Sequence, residues 1–336
     1  MAALGRSPRL RHEWKALWER APDASPFQSP EWLIPWWRAF GQGTLWPLAC
    51  YQEGRLAALV PLYCSDDSDG VREVRLIGSG NSDHLGALIE PEIPGIAPAL
   101  WRWLARRARE WDQVDLRQLP CESPLSAVPD EAGWTGTVTP DGPCPVLCLP
   151  VNAEELSAIA PRQWDRYRYY RRRLGRAGKF QFTRAGRDNL SEHFDALATL
   201  HESRWRSRNE PGVLDYPGVR RFLREVVAAQ LTADRLRLYT LWFNHRPAAA
   251  WLGFVAHGRV CYYLGGFDPE FARLNVGTIM VGYAIEAAVQ EGCTEFDFLR
   301  GREEYKYHWG AVDRPTARNR LRYRREADAA LVEGDQ

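Results

Sequence analysis

The chain has 336 residues, 45% of them hydrophobic and 26% charged, enough for about two domains with sizeable cores and incompatible with a disordered or fibrous protein. Its 44 basic and 43 acidic residues leave a net charge of +1, so no global field recruits nucleic acid or anionic membrane and any basic site must be local. No apolar run approaches the ~18–20 residues of a bilayer span, and the opening MAALGRSPRLRHEW lacks the apolar stretch of a signal peptide; a soluble, cytoplasmic protein is expected.

Helices are predicted at Trp14–Arg20 and 30–40, the second with Ser29 as N-cap, Pro30 at the first helical position and Glu31 in the first turn. The segment 45–63 reads as strand, Glu-Gly turn, strand. VREVRLIG then predicts a strand, 94–111 an amphipathic helix, and QVDLRQLP a strand with Asp115 in its middle. The stretch 139–150, with four prolines, marks the passage between two halves. A strongly basic helix follows over 154–177, then the strand KFQFTRA and helices over 189–206 and 216–230. Three strands run through 236–267, then a helix over 275–292, a strand EFDFLRG carrying Asp297, and a last strand ARNRLRYRRE, with a frayed tail beyond Ala327. Each half thus runs antiparallel strands, helix, and a strand with a central aspartate, which reads as two copies of one α+β unit. Domains are expected at 1–150 and 151–336.

Seven scattered cysteines, without CxxC and without a nearby histidine, argue against a disulfide framework or a structural zinc, and no metal is expected. Lysine occurs only at positions 15, 179 and 306. Where arginine is the default cation, a lysine in a dense motif suggests that ammonium geometry is wanted.

Five constellations could carry chemistry. In YYLGGFDPEFARLNVGT, Gly265 and Gly266 in a strand suit a bulge or the close approach of a ligand to the backbone. Asn275, Val276, Gly277 and Thr278 open a helix whose free amides suit a pyrophosphate, although a glycine there can also serve structure alone. The stretch EFDFLRGREEYKYHWGA is the densest polar-aromatic run; its carboxylates could act as general base and its tyrosines as general acid, or the loop could simply dock by its aromatics. In LHESRWRSRNEPG, His201, Trp205 and Arg208 share a helix face near Arg204, as ligand contacts or as structural residues. The run RQWDRYRYYRRRLGR fits either a phosphate-binding helix or a solvated face with Trp164, Tyr167 and Leu174 turned inward. The Asp83-His84 pair of GSGNSDHLG suggests a Ser-His-Asp triad, but no GxSxG elbow accompanies it, and a hydrolase is set aside.

With these motifs in view, FDFLRGREEYKYHWGA, YYLGGFDPEFARLNVGT and LHESRWRSRNEPG resemble the CelD-type acetyltransferases of the GNAT superfamily, often associated with cellulose or exopolysaccharide synthesis. SPFQSPEWLIPWW, GRLAALVPL and SDHLG resemble the same family more weakly. The pattern is more distantly similar to the Fem peptidyltransferases, which pair two GNAT-like units and use aminoacyl-tRNA. The resemblance implies an α+β fold of two tandem GNAT-like units, each a mixed, mostly antiparallel sheet flanked by helices. It implies acetyl-CoA or another acyl-CoA as co-substrate, with the Tyr262–Gly266 strand pairing with the pantetheine and amides near Leu264 and Gly265 stabilising the oxyanion. Asn275 to Thr278 would cradle the pyrophosphate, although only Gly277 of the usual glycines is present. Glu303, Tyr305, Lys306 and Trp309 match the family motif, whereas Arg302 stands where an acidic residue is common.

The expected activity is direct acyl transfer to an amine or hydroxyl of a small-molecule, sugar or peptide acceptor. Asp297 or Glu303 would be the base, Tyr305 the acid and Lys306 a cation for the acceptor or carbonyl. Asp83, His84, His201, Arg204 and Trp205 would line an acceptor pocket between the halves, with Arg300 and Trp309 also counted as acceptor-binding. Nucleic acid is not an expected partner, and tRNA enters only in the Fem-type alternative, gripped by 162–176. A third possibility is a non-catalytic GNAT-like scaffold.

Overall fold

The computed structural model describes residues 7–91, 93–207 and 209–324; Arg208 and the predicted tail, with the end of the last strand, lie outside them. The chain forms two units, residues 1–142 with 315–336 and residues 143–314. The expected boundary was 150/151. The chain instead changes unit inside the strand Trp134–Cys148 and returns to the first near the start of the strand Val312–Tyr323.

In the first unit, the strand Leu62–Asp66 pairs antiparallel with Thr44–Leu45 and with Arg72–Leu76. Arg72–Leu76 then runs parallel to Gln113–Pro120, with Glu73 opposite Gln113 and Val74 opposite Val114. The helix Ile96–Arg106 lies between these two strands in sequence, burying Leu100, Trp101 and Leu104. A small sheet, Leu48–Gln52, Arg55–Val60 and Leu88–Ile89, completes the unit. Ser29 is the N-cap of Pro30–Phe40 as predicted, but its hydroxyl donates to the Pro26 carbonyl instead of capping a helix amide.

In the second unit, Phe180–Arg184, Leu236–Phe243, Arg246–Ala256 and Arg259–Phe267 form an antiparallel run. Arg259–Phe267 pairs parallel with Glu295–Asp297, which is antiparallel to the end of Trp134–Cys148. The helices Pro161–Ala177, Leu190–Arg206, Pro217–Thr232 and Val276–Gln290 flank the sheet. The core gathers Trp164, Tyr167, Trp251, Ile279, Phe296 and Trp309.

The repeat is visible in this topology. In each unit a helix joins two neighbouring parallel strands, and the second of them carries a buried aspartate, Asp115 or Asp297. Two local expectations differ from the structure. The basic helix is broken at Pro161, where a short helix Leu156–Ile159 ends and Pro161–Ala177 begins, because proline has no N–H to continue a helix but suits a first position. The proline-rich stretch is itself a strand: Pro143 and Pro145 need only their carbonyls, which accept from the amides of Gly301 and Phe298.

Candidate active site

The site is built where the strand Arg259–Phe267 loses a partner. Its parallel pairing with Glu295–Asp297 ends at Cys261 opposite Asp297, so among the described residues no strand lies beside that edge from Tyr262 to Phe267. Just there, the register to Arg246–Ala256 slips between Leu252–Leu264 and Gly253–Tyr262, leaving Tyr263 as the extra residue of a bulge. Gly266 allows a close approach of another kind: a Cβ there would overlap the backbone of Leu200 and His201. That glycine lets the helix Leu190–Arg206 lie directly on the strand.

Beyond Phe267, a 3₁₀ turn over Pro269–Leu274 ends at Asn275, whose left-handed conformation (φ 59°) starts the helix Val276–Gln290. The Asn275 carbonyl accepts from Ile279, and the amides of Val276, Gly277 and Thr278 have no hydrogen-bond partner among the described residues. Such a helix start favours negative charge.

A cavity of about 270 Å³ lies between this strand and helix. Its walls include Arg166 and Tyr170 from Pro161–Ala177, Arg204, Tyr262, Gly266 and Phe267, Asn275 to Thr278 in part, and Tyr305 with His308 from the helix Glu304–His308. Among the described residues, two arginines and a histidine line it, and no aspartate or glutamate does. The hydroxyls of Tyr262 and Tyr305 are hydrogen-bonded to each other, and Arg204 also reaches Tyr262. Burial, and then the neighbouring tyrosine, push the Tyr305 phenol well above its ordinary range; burial does the same to Tyr262. Both remain protonated at neutral pH.

The structure places the sequence-predicted residues as follows. Tyr305, Arg204, Asn275, Gly277 and Thr278 line the cavity, and Trp309 reaches its wall from the core, with its ring 5.0 Å from that of Trp164. Val276 is fully buried at the helix start. Leu264 and Gly265 lie on the open-edged strand but are not lining residues. Lys306 is buried, and its ammonium donates to the carbonyls of Leu299, Arg300 and Gly301 at 3.0, 3.0 and 3.1 Å and meets Glu303 Oε2 at 2.9 Å. It ties the helix Glu304–His308, which carries Tyr305, to the turn at Leu299–Gly301.

Arg300 and Glu303 are exposed, and Asp297 is buried with Oδ1 accepting from the Leu299 amide at 2.7 Å. His201 is buried on the helix face behind Gly266 and accepts from Trp205 Nε1 at 3.0 Å. Asp83 and His84 belong to the first unit, where Asp83 is buried and the His84 carbonyl accepts from Ser25. Sequence reasoning did not single out Arg166, Tyr170, Phe267 or His308. Arg166 and Tyr170 sit in a run of look-alike residues, and only the packing of Trp164, Tyr167 and Leu174 beneath them decides which way they point.

Residues 162–307 match the family model described as an acetyltransferase (GNAT) domain. In fold the chain is similar to FemX, with a TM-score of 0.66 and 11% identity over 96% of this chain and 98% of that one. A conserved protein of unknown function from Bacteroides thetaiotaomicron gives 0.58 at 12% identity over 95% and 98%. The C-terminal domain of a proposed lysylphosphatidylglycerol synthetase from Agrobacterium fabrum gives 0.57 at 13% over 97% and 94%. No curated protein matches the chain by sequence. At these identities the likeness is one of fold alone, that of an α+β protein of two units, and the matched acetyltransferase (GNAT) domain lies within the second unit. Among the described residues no helix is long and apolar enough to cross a membrane.

Proposed function

We propose that the second unit transfers an acyl group from acetyl-CoA or another acyl-CoA directly to an amine or hydroxyl, as the resemblance to CelD-type acetyltransferases implies. The observation that carries this reading is the end of the parallel strand pairing at Cys261, just before Tyr262–Phe267, beside a helix start whose Val276, Gly277 and Thr278 amides have no hydrogen-bond partner among the described residues. A pantetheine arm can pair with that edge as a strand would, with its phosphates at Val276 to Thr278. Amides near Leu264 and Gly265 then face the thioester carbonyl.

The acceptor attacks that carbonyl, the new C–N or C–O bond forms, and the C–S bond breaks. The departing thiolate takes a proton from Tyr305, which is protonated at neutral pH and regains its proton from water. With no carboxylate among the described residues that line the cavity, an amine acceptor enters unprotonated and releases its proton to water after attack. Glu303 and Asp297 act as positioning groups, Glu303 through Lys306. Thiol release from acetyl-CoA tests this reading: Tyr305→Phe lowers the rate roughly 100-fold without weakening coenzyme A binding, whereas Glu303→Gln lowers it far less. A wild-type protein that binds neither acetyl-CoA nor coenzyme A would refute it and leave the scaffold reading.

One observation favours a second reading, an aminoacyl-tRNA donor. Arg162, Arg166, Tyr169, Arg173 and Arg176 follow a 4-3-4-3 spacing that places them in one row on the helix Pro161–Ala177, about 21 Å long. All five are exposed, and none of the four arginines pairs with a carboxylate among the described residues. Four phosphate contacts would make log Kd for tRNA rise with log salt at a slope of about 3.

A further inference from the structure

We propose that Arg204 receives a carboxylate of the acceptor, so that this site acylates molecules bearing a carboxylate close to the nucleophilic nitrogen or oxygen. The proposal rests on the acyl-transfer reading above and narrows its acceptor. Arg204 is half-buried in the cavity wall and has no carboxylate partner among the described residues. Its contacts are weak for a guanidinium: the Gly265 carbonyl at 3.5 Å, the Tyr262 hydroxyl, and the faces of Phe267 and Trp205 at 5.8 and 6.0 Å. Its Nε–H is buried and has no hydrogen-bond partner among the described residues.

Acids do stand nearby, but other arginines hold them. Glu202 pairs with Arg206 and Arg220, and Asp195 with Arg220 and Arg224. A guanidinium withdrawn from water without a counter-ion is unfavourable, and a planar carboxylate can accept two of its hydrogen bonds at once.

Position decides whose anion this is. The donor's phosphates have the helix start at Val276 to Thr278. The Phe267 ring adjoins both groups: a Cβ at Gly277 would lie 3.3 Å from it, and the Arg204 guanidinium is 5.8 Å from its centroid. Arg204 instead adjoins Gly265 and the Tyr262–Tyr305 pair, where the thioester is to react. An anion bound there belongs to the acceptor.

The test compares amino acids with their carboxamides at equal concentrations of unprotonated amine, with acetyl-CoA as donor. It also compares the N-acetyl amino acids with their amides as ligands that stabilise the coenzyme A-saturated protein. The expected result is at least a tenfold preference for the acids in both assays. In Arg204→Met that preference falls below twofold while the Kd of coenzyme A is unchanged, and Arg204→Lys retains part of it; unliganded melting curves confirm that both variants fold. Equal losses on acids and amides, a weakened coenzyme A affinity in Arg204→Met, or no stabilisation of the wild type by any carboxylate probe would overturn the proposal. Failure of the wild type to bind coenzyme A at all would instead overturn the acyl-CoA reading beneath it.

Discussion

Lys306 shows how one side chain can hold a site without entering it. The spacing of an isolated lysine among acids and tyrosines suggested an ammonium with a chemical task, and its geometry gives that ammonium three carbonyls and one carboxylate of its own loop. Replacing it by methionine leaves those carbonyls short of a donor, at a loss of about 2–3 kcal/mol. Urea unfolding of Lys306→Met checks this, and acyl transfer falls with it because Tyr305 sits on the same short helix as Lys306; intact stability in the variant would contradict the clamp.

His201 carries a pH signature. Trp205 donates to its Nε2, so the proton is on Nδ1, which is buried without a hydrogen-bond partner among the described residues. Burial, and then the Arg204 charge, push its pKa down to about 4, against about 6.5 in an unfolded chain. A depressed value means that the unfolded state takes the proton first. The contribution is therefore complete above pH ~6.5 and declines as pH falls toward 4, by about 2 kcal/mol at pH 5. Comparing wild type with His201→Gln at pH 7.5 and pH 5 by denaturation should reveal that difference; parallel behaviour would count against it.

At the level of elements, glycine and proline decide most. Gly266 was legible as a place of close approach, and the group that approaches it is the backbone of a helix, at Leu200 and His201. Gly266→Ala should therefore destabilise the second unit by about 1–3 kcal/mol through overpacking, measurable by thermal or urea unfolding, and a neutral effect would place that helix further from the strand. The arginine-rich helix keeps Trp164, Tyr167 and Leu174 inward, as their spacing predicts, and Gly282 lets Tyr167 and Trp309 close onto the helix Val276–Gln290. The two aspartate-bearing strands were recognised as repeats. Their carboxylates are bound locally, Asp115 by Arg117 and Arg318, Asp297 by the Leu299 amide. Burial works against ionisation of Asp115, but the hydrogen bonds from Arg318 and Arg117 outweigh it and hold its pKa below the ordinary range.

For the whole molecule, the acyl-transfer reading predicts a local response. Acetyl-CoA should slow amide exchange over 262–267 and 276–278 in the second unit and leave the strands 55–60 and 72–76 of the first unchanged. Exchange followed by mass spectrometry checks this, and protection confined to the first unit would move the donor site there. The existence of two α+β units, the order of their elements and the inward faces of their helices were written in period and punctuation, because burying an apolar stripe is a local demand of each segment. The sequence also marked Asn275 to Thr278 and the stretch around Tyr305 as places for chemistry. Which polar side chains meet there was decided only by tertiary packing. Lys306 turns onto its own carbonyls, Arg204 is left without an acid, and Tyr305 finds Tyr262 across 43 residues of chain. Such pairings depend on distances between segments remote in sequence, and no local periodicity encodes them.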